Sequence, residues 1–366
     1  MARVAMLMAE LGVDHLVLGG ADHIRYATDF RTQLVSEAYD WYAAVVDASG
    51  EADLFVPYVD EQVARPGDVP ECVRALHPLP SWAPAACHPR RWSEAIGNEL
   101  RRRGARLIGY EGVDPALLGG AGSNTRPVAR ELFILREIKD ADEICLLEAA
   151  SRANEAAIRA VIEEARPGMT DHELLARAAA GQHTAGAEFL THAVCNVRKV
   201  SGSWFADGSA LAPGQPFFLD IGCYGRGGYA SDLARTGFLG EVPDEVRRAY
   251  DRLLVAHMAG QEAVRPGVRC TTVHAAINDC LARQGMPGTP YSTGHGVGLR
   301  ACELPTIHRA DRMDEDRVLR AGQVIALEPE TTVEVGEHLF VLKVEDDFVV
   351  EDGGLRPLAA TASALS

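Results

Sequence analysis

Apolar and polar positions along this 366-residue chain alternate in two rhythms. In the first third they are short. Residues 2–11 carry helical spacing, and Leu16-Val17-Leu18 is a strand halted at Gly19-Gly20. Residues 24–30 are short and mixed. Two strands, 41–47 and 52–56, flank a turn at Ser49-Gly50. Residues 92–103 return to helical spacing through Ile96 and Leu100, and 106–110 to a strand. Strands alternating with helices predict an α/β layer domain over residues 1–125. His77 and His88 stand beside prolines and read as loop residues.

From residue 126 the segments lengthen into a second domain, 126–366. Residues 141–164 form one helical run, with Ile144, Leu147, Ala150, Ala157, Ile158 and Ile162 on its apolar side. Asp140 and Asp142 stand at its start, where the helix dipole favours anions. Arg166-Pro167-Gly168 ends it, and Thr170 with Glu173 forms a capping box for a helix reaching about residue 187. The phrase then returns: a helix over 243–264, a stop at Arg265-Pro266-Gly267, and a helix through 281 capped by Thr271 or Thr272. Apolar strands follow each helix pair. Residues 140–240 and 241–355 therefore read as two copies of one helix-helix-strand-strand unit, expected to pack about a pseudo-twofold axis.

Residues 216–240 are where chemistry enters. Phe217-Phe218-Leu219 runs into Asp220, a glycine-rich turn follows, and a second run carries Asp232 and Arg235. This is a β-hairpin pattern that sets two aspartates side by side. Paired carboxylates in apolar surroundings repel and are costly to bury, and a cation between them removes both problems. The second copy carries Glu328 and Glu345 in apolar runs, and His295 lies between glycines. The set Asp220, Asp232, His295, Glu328 and Glu345 suits two divalent ions.

Composition narrows the partners. The formal net charge is −16 without a Lys/Arg-rich run, which argues against nucleic acid or an anionic membrane. No apolar stretch is long enough to span a bilayer, and the first twenty residues make a poor secretory signal. The eight cysteines form no CxxC pair, so free thiols in the cytoplasm are expected.

The hairpin resembles the Asp-x-Gly…Ser-Asp-x-x-Arg signature of the pita-bread metalloenzymes: methionine aminopeptidase, aminopeptidase P, Xaa-Pro dipeptidase and creatinase. Gly294-His295-Gly296-Val297-Gly298-Leu299, Glu328-Pro329 and Val344-Glu345-Asp346 match its other motifs, with Lys343 where Arg is usual. Arg136 to Lys139 with Glu143-Ile144 resembles the entry to the catalytic domain, and Arg25-Tyr26 with Thr28 a motif of the creatinase-type N-terminal domain. The resemblance implies an α+β chain: an N-terminal creatinase-type α/β domain, then a pita-bread fold of duplicated helix-helix-strand units around an antiparallel sheet. It implies two divalent ions (Mn, Co, Zn or Fe) on the five residues, with Glu328 and His295 catalytic, Arg235 supporting a ligand carboxylate, and a homodimer.

Two histidines usual in the peptidases of that group are missing. Ser203-Trp204-Phe205 occupies the region of the first, and Cys302, followed by Glu303, stands in place of the second. Losing a general acid or base typically costs ~10²–10⁴-fold in rate. Trp204, Cys302 and His308 are the candidates to face substrate, with Cys302 expected as a buried, passive thiol. His192 reads as a packed core histidine, or alternatively as a stand-in for the missing one. Asp346-Asp347 reads as solvated or supporting. The expected activity is dinuclear metal-dependent hydrolysis of a C–N bond in a small substrate such as an Xaa-Pro dipeptide. The alternative is a specialised non-peptidase enzyme, creatinase-like or a metal-dependent lyase.

Overall fold

The computed structural model describes residues 2–30, 42–58, 61, 69–79, 89–118, 124–196 and 206–362. The chain divides into two compact units, Met1–Arg136 and Glu137–Ser366.

The first unit carries helices α1 (Ala2–Leu11), α2 (Ala21–Thr28), α3 (Pro89–Arg102) and α4 (Ala129–Arg136). Its strands are β1 (His15–Leu18), β2 (Ala43–Asp47), β3 (Ala52–Pro57), β4 (Val73–Leu79), β5 (Leu107–Glu111) and β6 (Asn124–Pro127). They form one sheet in the order β4-β3-β2-β1-β5-β6, with antiparallel pairs at β1/β2 and β2/β3 and parallel pairs elsewhere. The mixed stretch 24–30 is mostly helix. α2 covers it to Thr28 and stops where Asp29 turns left-handed, at φ 60°. Arg25 and Tyr26 lie on that helix, and the Thr28 hydroxyl donates to the Ile24 carbonyl. His77 belongs to β4, where it stacks on Phe55, so it is not a loop residue.

The second unit opens with α5 (Ala141–Glu164) and α6 (Asp171–Thr184), each started by a full capping box, Asp140/Glu143 and Thr170/Glu173. Strands β7 (Phe189–Asn196), β8 (Gln215–Tyr224) and β9 (Ala230–Leu239) form an antiparallel sheet. Helices α7 (Asp244–Ala263) and α8 (Cys270–Arg283) repeat the pair. Neither Thr271 nor Thr272 caps α8, because the helix begins one residue earlier and Arg269 is its N-cap. Asp316 does the work from a distant loop, accepting from the Thr271 N–H and hydroxyl at 3.1 and 2.8 Å. Then come β10 (Gly294–Gly296), β11 (Glu303–Ile307), β12 (Val324–Leu327), β13 (Glu330–Val335), β14 (His338–Lys343), β15 (Asp346–Glu351) and β16 (Gly354–Pro357). A five-stranded sheet runs β11-β10-β12-β15-β16, with β13 and β14 as a separate hairpin, antiparallel throughout.

The helix pairs cover the strands through separate apolar clusters. Ile158, Val161 and Leu174 pack on Leu219, Ile221 and Leu233. Leu253, Ile277 and Leu281 pack with Leu342 and Val344. This burial fixes which face of each strand is left for polar groups.

Candidate metal centre

Register places the acidic residues. Across β8 and β9, Asp220 pairs with Ala234 and Gly222 with Asp232. Residues two apart on a strand share a face, so both aspartates project from the same side. Glu345 joins through a bridge to Ala234: its N–H donates to the Ala234 carbonyl at 3.0 Å, and Ala234 returns the bond at 3.3 Å. Glu328 follows the last residue of β12, its N–H donating to the Thr293 carbonyl at 2.9 Å. His295 is the middle residue of β10, opposite Ala326 and Thr306. Glu328 and Glu345 thus stand just outside regular strands, whereas His295 stands within one.

These five side chains converge, and all are buried. His295 Nε2 lies 3.7 Å from Asp232 Oδ2 and 3.8 Å from both Glu328 Oε1 and Glu345 Oε1. Its Nδ1–H donates to the Gly296 carbonyl at 3.1 Å, leaving the Nε2 lone pair facing the carboxylates. On the other side of Asp232, His192 Nε2 lies 3.0 Å from Asp220 Oδ1 and 3.1 Å from Asp232 Oδ1. Two potential ligand groups result, His192-Asp220-Asp232 and Asp232-His295-Glu345, with Asp232 common to both.

Lys343 stands among them. Its Nζ donates to Asp220 Oδ2 at 2.5 Å and Glu328 Oε2 at 3.0 Å, with Glu345 Oε2 at 3.6 Å. Burial alone would raise the Asp220 carboxyl, but the Lys343 ammonium and then His192 hold it below the usual range. Glu345 goes the other way: burial first, then the charge of Asp232, push it well above its ordinary value. Burial disfavours a charged His192, yet its hydrogen bonds to Asp220 and Asp232 raise it to about 10.

The donor set fits divalent ions. Both carboxylate oxygens of Glu345 lack a hydrogen-bond partner among the described residues, a costly state for a buried acid. The Lys343 ammonium and a protonated His192 bring two positive charges to four carboxyl groups and do not balance them. Hard oxygens with an imidazole suit divalent ions.

The supporting groups are specific. Among the described residues, Arg235 pairs with none of the four clustered carboxylates. It donates to the main-chain oxygens of Glu345 (2.5 Å), Ala234 (2.9 Å) and Ala360 (2.9 Å), and to Asp346 Oδ1 at 2.6 Å. Asp346 and Asp347 are buried rather than solvated. Asp347 Oδ2 accepts from the Asp232 N–H at 3.1 Å and from the Ser151 hydroxyl at 2.7 Å. Ser292 donates to Glu328 Oε1 at 3.0 Å.

Of the substrate-facing candidates, Trp204 lies outside the described residues, as do Ser203 and Phe205. Cys302 is exposed, not buried. The surrounding protein, then the charges of Glu328, Asp232 and Glu303, push its thiol up to about 11, which makes it a poor nucleophile at neutral pH. His308 lies past β11 with its ring 5.3 Å from that of His274. From the sequence, Ser292 and Lys343 have no expected part in this centre and His192 reads as a packed core residue in preference to a stand-in for the missing histidine, whereas all three contact its carboxylates. The available signal for Lys343 is a lone cation closing an apolar strand two residues before Glu345.

Comparison with known proteins agrees with this arrangement. The model of metallopeptidase family M24 matches residues 145–352, which contain all five converging residues. A probable dipeptidase, PepE, from Mycobacterium tuberculosis is 33% identical over 283 residues, covering 68% of this chain and 73% of that one. An Xaa-Pro dipeptidase from Pyrococcus furiosus is 28% identical over 236 residues, 63% of this chain and 65% of that one, so the match spans just under two thirds of that relative's length. Among solved structures, an Xaa-Pro dipeptidase from Bacillus anthracis superposes with a TM-score of 0.80 at 20% identity, over 98% of this chain and 96% of that one. An X-Pro aminopeptidase from Thermotoga maritima gives 0.82 at 18% identity, over 98% and 97%. At such identities the likeness is one of fold, the pita-bread fold. The matched segment covers more than half the chain and takes in nearly all of both copies of the repeat and the whole carboxylate cluster, and on that ground the chain belongs to metallopeptidase family M24.

Proposed function

We propose that the protein is a dinuclear metal-dependent hydrolase that cleaves the C–N bond of a short peptide of the Xaa-Pro type. The observation that carries this is the pair of potential ligand groups sharing Asp232, with both Glu345 carboxyl oxygens buried and without a hydrogen-bond partner among the described residues. The names of the relatives, Xaa-Pro dipeptidase and dipeptidase, support the substrate class. Asp220, Asp232, His295, Glu328 and Glu345 would hold two ions, of Mn, Co, Zn or Fe. Such ions supply positive charge that polarises a carbonyl and makes water a stronger acid.

The chain's own groups do the rest. Glu328 would take a proton at Oε1 and return it; the Ser292 hydroxyl donating to that oxygen and Lys343 donating to the other support this role. His295 fixes the ligand face from β10. In the same reading the first unit is the creatinase-type N-terminal domain, the rest is catalytic, and the protein is a cytoplasmic homodimer.

The test is metal content of the purified protein followed by Mn- or Co-dependent cleavage of Xaa-Pro dipeptides against Xaa-Ala controls. Release of proline that stops with chelator is expected. Stoichiometric metal with no cleavage of any dipeptide removes the peptidase reading. The second reading, a non-peptidase C–N hydrolase or lyase on the same centre, is favoured by the exposed Cys302 where the resemblance expects a histidine. Turnover of guanidino or sulfonium substrates by that metal-loaded, peptidase-silent protein is its signature.

A further inference from the structure

We propose that His192 is a metal ligand, binding through Nε2 the ion held by Asp220 and Asp232, so that each half of the repeat contributes one imidazole. The inference rests on the dinuclear reading above.

Four independent features aim this ring. The β7/β8 register slips between Leu190 and Ala193, paired with Cys223 and Ile221, so β7 holds one extra residue at Thr191-His192. Bulges of this kind redirect a side chain beside a functional site. Gly222 then leaves the space: a Cβ there would meet Thr191 Oγ1 at 2.1 Å, the Ser231 carbonyl at 2.5 Å and His192 Cε1 at 3.0 Å. Third, Nδ1 lies 2.9 Å from Thr191 Oγ1, so Nε2 is the nitrogen turned toward both aspartates; with an ion in place of the Nε2 proton, Nδ1–H would donate to that hydroxyl, the arrangement that orients ligating histidines. Fourth, Asp220 gives only Oδ2 to Lys343, leaving Oδ1 facing His192.

The repeat supports the assignment separately. β7 follows the second helix of the first copy, and β10 follows the second helix of the other. β7 pairs antiparallel with β8, which carries Asp220, and β10 with β12, which ends beside Glu328. His192 and His295 therefore occupy corresponding strands, one on each side of Asp232. A resident imidazolium standing in for an ion predicts the opposite response to removal, namely tighter metal binding.

Metal-free protein is titrated calorimetrically with Mn²⁺, and pulsed EPR of the loaded protein counts coordinated imidazole nitrogens. The wild type is expected to bind two ions with two imidazoles. His192→Ala should lose one imidazole and weaken one binding step by about 100-fold, leaving the other within about threefold. Thr191→Val keeps the ring and removes its Nδ1 partner, and should weaken the same step by roughly 10-fold; it carries the test if His192→Ala does not fold. Unchanged or tighter binding in both variants, with two imidazoles still counted in any that folds, overturns the inference and leaves the hydrolase reading intact. A wild type that takes up no ion at millimolar Mn²⁺ overturns both.

Discussion

Replacing Lys343 with methionine removes the ammonium that bridges Asp220 and Glu328 while keeping a side chain of similar length. The ammonium is buried, 2.5 Å from Asp220 Oδ2, 3.0 Å from Glu328 Oε2 and 3.6 Å from Glu345 Oε2. Removing one partner of a buried pair leaves charge uncompensated and costs about 3–5 kcal/mol. For a unit of this size each kcal/mol moves the melting temperature by about 2–4 °C, so the metal-free variant should melt about 6–20 °C lower. Divalent ions neutralise the same carboxylates, so excess Mn²⁺ should recover more than half of the deficit. Lys343→Arg keeps the charge and should melt within a few degrees of the wild type. Scanning calorimetry in chelator and again in Mn²⁺ measures both. If Lys343→Met melts with the wild type in chelator, the ammonium is not what holds this cluster together without metal.

Two further perturbations probe the surroundings. Arg235→Lys cannot serve Glu345 O, Asp346 and Ala360 O together, so urea denaturation should show a loss of about 1–3 kcal/mol; an unchanged midpoint contradicts the assigned role. His274 is lowered from 6.5 to about 4 by burial, then by the neighbouring charges of His308 and Arg309. Between those pH values the unfolded chain binds more protons, so this contribution is complete above about pH 6.5 and is lost as pH falls through about 4. After allowance for solvent screening it amounts to about 1–2 kcal/mol. His274→Gln should flatten that acid limb in urea midpoints measured against pH, and a limb as steep as the wild type's refutes the assignment.

The elements easiest to read in the chain are those with local punctuation. The helix over 141–164 and the capping box at Thr170 emerge as expected because Pro-Gly stops and capping side chains act within a turn or two. The hairpin carrying Asp220 and Asp232 is likewise local. What escaped depends on distant partners. α2 takes a mixed stretch because tertiary packing buries Ile24 and Ala27, and the start of α8 is served by Asp316 rather than by its own threonines. β4 and β6 are sheet-edge strands whose short patterns carry little periodicity. His192 looked like a core residue because a bulge shifts which face a side chain takes, and alternation alone does not reveal a bulge. Cys302 was expected inside because thiols usually are, whereas the turn after β10 leaves it in solvent.

The bridge between Ala234 and Glu345 has a consequence for how the protein is made. The five converging residues are spread from position 220 to position 345, and Arg235 secures Glu345 through contacts that reach Ala360. No short segment can assemble this centre by itself, since long loops must close before any contact rewards the closure. Any metal held by these residues would accordingly be taken up late, after synthesis of nearly all of the second unit rather than guiding it.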